Sequence, residues 1–579
     1  MSEAPAARPA TGSATEPAEA VALAVVASCA ALLIGLRQIG SWDFWWHLAI
    51  GREALQSRSF VPVDTFSYSF AGAAFRHKDL LGDVVFYSAF ETAGFAGIAL
   101  LRALAVGTLF FALWRLVEKP KRSALVVAIV AGITIAAVQQ RLIPRPLMFT
   151  IAAFPLMLAL IEHVRRKIPD GPAAVARAHI PIIALQWLWL ELHRGGILGI
   201  ILLIGHVGAL LLAMGMHLAP RLRAFAGPRA TPAVVATFAA LAALTTAIGA
   251  LHPSGIGVYT TALSVTGDPI HRTRISEWAP LTWELARTIH PVTIVLLVAG
   301  WATAIASALR SMTRDEPCPV QIWHVGVLAL FTIQGVASMR WLSYASGAAA
   351  IILVLAGSAW LAKHKFSPPR GATLLAGLLP LALAHALSPT PVGLGPMPNR
   401  FPTDALAFAA SVGLAGDVHN SFVYGGYLTW DARFDVLIDG RNDMLYPSEF
   451  YGQCVDAATD PSVFAALQDA HRTSWVLAEN VPGRESFVFL ADDPEWVAVY
   501  WSDPAIIYVR AEEAAPLIDV GALQPMRALH PFHLQPSLMH AIQSGHAPAY
   551  EAELRHWLER NPESVRLWSM QALLAHAAG

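Results

Sequence analysis

Charge is what this sequence has least of. Only 14% of its 579 residues are Asp, Glu, Lys or Arg, 55% are hydrophobic, and mean hydropathy is +0.50. A chain this apolar is excluded from the ordinary soluble class. An excess of one sign is also missing: 40 Lys and Arg face 41 Asp and Glu, for a net charge of −1. That balance excludes the basic footprint a nucleic-acid partner needs. Cysteine is nearly absent. Cys29, Cys318 and Cys454 are too few for a disulfide scaffold and read as free thiols with packing roles. The N-terminus lacks the pattern of a signal peptide, because Glu3, Glu16 and Glu19 make it acidic and no small-x-small cleavage site follows. The first apolar run is therefore expected to stay as an anchor. Residues 1–19 carry no apolar period and read as a disordered cytoplasmic tail.

What is present is a series of long apolar runs. A bilayer core of roughly 30 Å takes about 20 apolar residues as helix. Segments of that kind lie at Ala20–Gly40, Gly94–Leu116, Ser123–Gln139, Pro146–His163, His179–Leu192 and Gly195–Met216. Five more lie at Thr231–Leu251, Ile289–Leu309, Gln321–Ser338, Leu342–Leu361 and Ala372–Leu387. The fold class expected is a polytopic α-helical membrane protein of about eleven spans over residues 20–390. Lys and Arg collect in alternate connections: Lys119, Lys121 and Arg122; Arg165, Arg166, Lys167 and Arg177; Arg221, Arg223 and Arg229; Arg310 and Arg314; Lys363, Lys365 and Arg370. By the positive-inside rule these connections are cytoplasmic, which places the N-terminus inside and the chain after Pro391 outside. The expected location is the bacterial inner membrane.

Two outer loops are long, 41–93 and 252–288, and loops of that size usually carry function. Trp45–Gln56 and Asp79–Thr92 within the first have helical apolar spacing and are expected to lie along the interface, with Trp42, Trp45 and Trp46 in an aromatic belt. Polar side chains gather at the outer helix ends. Asp43 and His47 stand four apart; Asp64 follows, then His77, Asp79 and Asp83. Arg141 and Arg145 flank a short hairpin where two guanidinium forks suit a phosphate. His193 and Arg194 precede Gly195 and Gly196 at a helix start, a place favourable to anions. His252, Glu277, Trp278 and Arg340 complete the outer set. Each also has a structural reading: an Asp at a helix entry caps it, a terminal Arg reaches headgroups, and Gly-Gly makes a turn. Their gathering on one face points to a site for an anionic ligand.

The motifs Trp-Asp-Phe-Trp-Trp-His, Val-Pro-Val-Asp-Thr-Phe-Ser-Tyr and His-Lys-Asp-Leu-Leu in one first outer loop resemble the GT-C-type bacterial membrane glycosyltransferases. That group is related to the dolichyl-phosphate-mannose and aminoarabinose transferases. Arg145–Thr150, Leu192–Gly196, His252–Gly255, Ser276–Pro280, Tyr424–Trp430 and Leu437–Arg441 extend the resemblance over most of residues 20–510. It implies sugar transfer from a polyprenyl-phosphate-linked donor, at the outer face, to a glycan, lipid or protein acceptor. Asp43 would be the catalytic acid, supported by His47, Asp64, His77 and Asp79. Arg141, Arg145, His193 and Arg340 would hold the donor phosphate, and Glu277 and Trp278 would face the acceptor. A divalent cation is compatible with this chemistry. The Arg141–Arg145 loop lacks the acid that several relatives carry, so a two-carboxylate metal site would need Asp64, Asp79 or Glu277 as partner.

Residues 391–515 read as a soluble α/β domain outside the membrane. Strands are expected at Asp435–Asp439, Ser474–Glu479, Trp496–Trp501 and Ala505–Arg510, with helices near Pro447–Ala458 and Ser462–Ala470. Tyr424-Gly-Gly-Tyr reads as a close-passing turn, and Asp439-Gly-Arg-Asn-Asp as turn chemistry at a strand end, with an acceptor site as the alternative. Residues 516–579 read as a helical tail in which Gln543–Glu559 and Ser564–Ala577 resemble one tetratricopeptide-type repeat. A fragment from about Pro398 onward is expected to fold alone. Besides the transferase, the residues allow a non-catalytic scaffold of the same fold within an envelope-polymer assembly. A transporter is disfavoured, because no matched pair of broken helices is present.

Overall fold

The computed structural model describes residues 16–59, 63–75, 77, 79–260, 269–314, 318–366, 368–442 and 444–578. Parts of the expected N-terminal tail and of both long loops thus lie outside the described residues. The chain is mostly helical and divides into two compact units.

The first unit takes residues 1–38 and 78–395. Eight of its helices are long and apolar enough to cross a membrane: Leu80–Arg115, Ala124–Arg141, Leu147–Arg165, Pro172–Leu192, Arg194–Met216, Pro232–Leu251, Pro291–Thr313 and Met339–Lys363. Shorter apolar helices, Glu19–Gly35, Ile322–Ala337 and Arg370–Ala386, occupy the three remaining expected segments. In hydrocarbon every backbone polar group must be satisfied within the segment, which is why runs of this composition become helices. Hydrophobic surface cannot drive helices together in lipid, so close packing of small residues takes its place. A Cβ on Gly377 would stand 2.8 Å from Val26 and 3.0 Å from the Cβ of Ala128, and one on Gly132 would stand 2.9 Å from Pro380. These contacts bring three helices together at van der Waals distance. The helix Leu80–Arg115 is broken at Ala93 and Gly94, where Gly94 takes φ +56°, so the amphipathic stretch before it and the apolar one after it differ in direction. Ser123, Thr231 and Thr282 each accept a backbone N–H at a helix start.

The second unit takes Ile39–His77 together with Pro396–Gly579. Residues 39–77, read from the sequence as an outer loop of the membrane domain, are thus part of the same compact body as the soluble domain. Its four-stranded sheet has the order β1-β2-β4-β3, with β1 Val418–Asn420, β2 Trp475–Glu479, β3 Trp496–Trp501 and β4 Ala505–Arg510. β1 runs parallel to β2, and the other pairings are antiparallel. β2 is buried along its whole length and β4 along all but its last residue, so both read as unbroken apolar runs. Asp435–Asp439 forms no strand. It meets Ser67 and Val418 by single bridges at Val436, and the Asn420 side chain takes the place of a ladder by binding Leu437 N–H and Ile438 C=O. Tyr424–Trp430 is likewise no turn but lies in the helix Phe422–Asp431. Its glycines serve close packing: a Cβ on Gly426 would stand 2.9 Å from the Trp42 carbonyl, and one on Gly425 would collide with that of Ile438.

The helix Asp43–Ser57 therefore packs into protein. Trp45 and Trp46 are buried, and Trp45 contacts Phe401 and Tyr427 edge-on at 5.2 and 4.9 Å. The aromatic belt expected of Trp42, Trp45 and Trp46 is replaced by an aromatic core. The tail forms three helices, Leu534–Ser544, Ala547–Arg560 and Val565–Ala578, with Gly545 in the left-handed region separating the first two.

Candidate anion-binding site

In the membrane unit, short 3₁₀ turns bring charged side chains to one cluster. Gln139–Arg141 ends one helix, Met339–Trp341 opens another, and Ser276–Trp278 lies in the connection between. The connection is hooked to the Met339 turn by backbone bonds, Met339 N–H to Ala279 C=O at 3.0 Å and Leu281 N–H to Val336 C=O at 2.9 Å. Glu277 is thereby held among three guanidinium groups. It pairs with Arg141, lies 3.6 Å from Arg145 and 3.7 Å from Arg340. Arg340 also stacks over the Trp278 ring at 4.6 Å. Among the described residues, three guanidinium groups gather around this one carboxylate. The four side chains keep 14 to 21% of their surface exposed, so they are neither sealed nor fully hydrated. That is a setting in which Arg recognises a phosphate or carboxylate with both charge and geometry.

A second group lies at the Leu192–Gly196 motif. Asp79 accepts the backbone N–H of Arg194 at 2.8 Å. His193 accepts the N–H of Gly195 at 2.9 Å on Nδ1, and the hydroxyl of Thr150 lies 2.7 Å from the same nitrogen. Trp189 Nε1–H donates to that hydroxyl at 2.8 Å. A Cβ on Gly82 would collide with the Leu192 carbonyl and stand 3.2 Å from Pro146, so three chain segments meet closely here. His252 accepts the N–H of Ser254. Burial holds its imidazole below the ordinary histidine range, and the Asp79 carboxylate acts the other way.

The remaining expected site residues belong to the second unit. Asp43 is the first residue of its helix and accepts Trp46 Nε1–H at 3.3 Å. His47 is buried, with its ring 3.6 Å from that of Trp46, and His77 lies 4.9 Å from the Phe75 ring. Asp64 is fully buried and bound to Arg441 at 2.6 Å. Arg441 also pairs with Asp439 through Nε at 2.9 Å and Nη2 at 2.6 Å. The Asp439-Gly-Arg sequence keeps its turn chemistry, Asp439 Oδ1 accepting the Arg441 N–H at 2.9 Å, and is a buried ion network as well. The two carboxylates and the phenol of Tyr446 raise the Arg441 guanidinium further above its ordinary value than burial lowers it.

These pairings bear on the cation that the resemblance allows. Asp64 is spent on Arg441, Glu277 on three arginines, and one Asp79 oxygen on a backbone N–H. Among the described residues, no three His, Cys, Asp or Glu side chains gather as a metal ion requires. Two of the carboxylates that could partner Asp43, Asp64 and Glu277, are thus engaged with guanidinium groups rather than placed for a cation. No role is legible in the sequence for Thr150, the last residue of the Arg145–Thr150 motif, or for Trp189, which sits in an apolar run. Asp439 and Arg441, two opposite charges around a glycine, are legible there as a turn but not as the ion network with Asp64.

No family model matches the chain, and neither does any curated protein. Among solved structures, it is similar to ArnT from Cupriavidus metallidurans bound to undecaprenyl phosphate. The identity is 12%, the match covers 86% of this chain and 98% of that one, and the TM-score is 0.47. For the same protein in the apo state the identity is 14%, with the same coverage and a TM-score of 0.38. Likeness at these values carries nothing about activity.

Proposed function

We propose that this multi-pass membrane protein is a glycosyltransferase that takes its sugar from a polyprenyl-phosphate-linked donor at the outer face of the bacterial inner membrane. The observation that carries the reading is the cluster of Arg141, Arg145 and Arg340 around the carboxylate of Glu277. Three guanidinium groups gathered at helix ends of an apolar domain match a ligand with an anionic head and a hydrocarbon tail. The arginines would hold the donor phosphate and neutralise the charge that grows on it as the sugar–phosphate bond breaks. Asp43 is assigned the acid/base role from the sequence resemblance, taking the proton of the acceptor hydroxyl as it attacks the anomeric carbon. Glu277 is reassigned from the acceptor to the arginines, as their resting counterion. The acceptor is a glycan, lipid or protein of the envelope.

A non-catalytic scaffold is the second reading, and one observation favours it: Asp64 and Glu277, two of the expected acids, are engaged in ion pairs. Mass spectrometry of lipid-linked sugars and envelope glycans decides between them. Cells carrying the parent protein, no protein, or Asp43→Asn should show a donor that accumulates and a product that disappears in the last two. Unchanged glycans in all three would end the transferase reading.

A further inference from the structure

Tyr344 stands four residues after Arg340 on the helix Met339–Lys363, one turn further along and on the same face. Long side chains on a helix lean back toward its N-terminus. The Tyr344 ring does so: it meets Trp341, three residues earlier, edge-on at 5.8 Å. Phe331 at 5.9 Å and Phe154 at 5.3 Å, on two neighbouring helices, hold its other sides. The ring is thus fixed in aromatic packing, with only 5% of the residue exposed, and its hydroxyl is carried toward the Arg340 turn. There the phenol lies in the field of Arg340, Arg141 and Arg194. Two arginines of the Glu277 cluster and the arginine of the Leu192–Gly196 motif therefore face one hydroxyl.

That company decides what the hydroxyl can do. Guanidinium groups carry donors only, so none of the three can accept the hydroxyl proton. The hydroxyl makes no hydrogen bond to any described residue. In apolar packing an O–H without an acceptor is costly. Four groups that can donate, three of them charged, complement a ligand with several acceptor oxygens and negative charge.

We infer that Tyr344 is a further binding residue of the anion site, its hydroxyl donating a hydrogen bond to the phosphate of the lipid-linked donor beside Arg141, Arg194 and Arg340. This rests on the anion-site reading above. It adds a neutral, directed donor to a set of charges, and it joins the Leu192–Gly196 motif to the arginine cluster.

The test measures the Kd of undecaprenyl phosphate for the full chain in detergent, over a salt series, with Tm measured on the same samples. Tyr344→Phe keeps the ring and removes the hydroxyl alone. It should bind about tenfold more weakly, as expected for one lost hydrogen bond to a charged group. Its salt slope should match the parent's, because no charge is lost, whereas Arg340→Gln should weaken binding and flatten the slope. Its Tm should equal the parent's, since the hydroxyl has no protein partner to lose. Undecaprenol, which lacks the phosphate, should bind parent and Tyr344→Phe alike.

Equal Kd values for undecaprenyl phosphate in parent and Tyr344→Phe would overturn the inference and leave the anion-site reading standing. A Tyr344→Phe variant that melts lower or fails to fold would also overturn it, because the hydroxyl would then serve the fold. A tenfold loss for undecaprenol as well would assign Tyr344 to the hydrocarbon chain, with the same result. A parent protein that binds no undecaprenyl phosphate at any salt concentration would instead overturn the anion-site reading, and the inference with it.

Discussion

Asp64 and Arg441 are 377 residues apart in sequence and meet at 2.6 Å with both side chains fully buried. Arg441 is shared with Asp439, so the network holds two carboxylates and one guanidinium, ringed by Phe66, Phe75 and Tyr446. Removing either kind of charge is therefore not symmetrical. Asp64→Asn leaves a neutral Arg441–Asp439 pair, whereas Arg441→Met leaves two carboxylates buried without a cation. Breaking a buried pair in that sense costs roughly 3–5 kcal/mol. Thermal melts should rank Arg441→Met well below Asp64→Asn, and both below the parent. The same pair makes a fragment that starts at Pro398 incomplete, since it lacks Asp64. A catalytic role for Asp64 requires the reverse for Asp64→Asn: an unchanged melt with lost turnover.

The second unit should be acid-sensitive through His419. Burial lowers its imidazole from 6.5 to about 3, and its Nδ1 is hydrogen-bonded to Gln468 at 3.0 Å. In the unfolded chain His419 takes up a proton below about pH 6.5, while the folded one does not until about pH 3. Its contribution is thus fully present above pH 6.5 and is lost as pH falls toward 3, at about 1.4 kcal/mol per pH unit. Tm measured across that window should show the slope, and His419→Phe, which keeps the contacts with Phe464 and Phe487, should flatten it. An identical slope in the variant would place the acid sensitivity elsewhere.

Glu277 gives a test of the arginine cluster. Glu277→Gln removes a counterion shared by three guanidinium groups, so Tm should fall while affinity for undecaprenyl phosphate rises several-fold at low salt. Arg145→Lys should act oppositely on affinity, because a point charge replaces a fork. If Glu277 instead handles the acceptor, the Gln variant would leave phosphate affinity where it was.

Asp43→Asn keeps the size and the bond to Trp46 but removes the basicity. As the acid/base, it should lose roughly two to four orders of magnitude in turnover with a near-parental melt. A residue that only begins its helix should cost up to about 1 kcal/mol of stability and leave turnover nearly intact. Turnover and Tm on one variant separate the two.

Orientation is testable without a substrate. Periplasmic reporters fused after Pro391 should be active, and those at Lys121, Arg166 or Arg223 inactive, since Lys and Arg are retained on the cytoplasmic side. Inversion at any two of these sites would reverse the sidedness and move the arginine cluster to the other face.

The sequence by itself determined the helices of the membrane unit, because a run of about 20 apolar residues has one backbone solution in hydrocarbon. Each of the eleven apolar segments falls in a helix, eight of them long enough to span. It also determined β2, β3 and β4, whose apolar runs are buried in the sheet. Along the chain it showed Arg141, Arg145, Glu277 and Arg340 as charges at helix ends.

What only the tertiary structure decided is which charges neutralise which. Asp64 and Glu277 look alike in a sequence, as acids in an outer loop, yet one is sealed against Arg441 and the other stands among three arginines. Chain distance says nothing about such pairs, since Coulomb energy depends on separation in space and on burial. The same holds for Thr150. Its place at the end of the Arg145–Thr150 motif gives it no partner, and only the fold brings its hydroxyl to 2.8 Å from Trp189 Nε1 and 2.7 Å from His193 Nδ1.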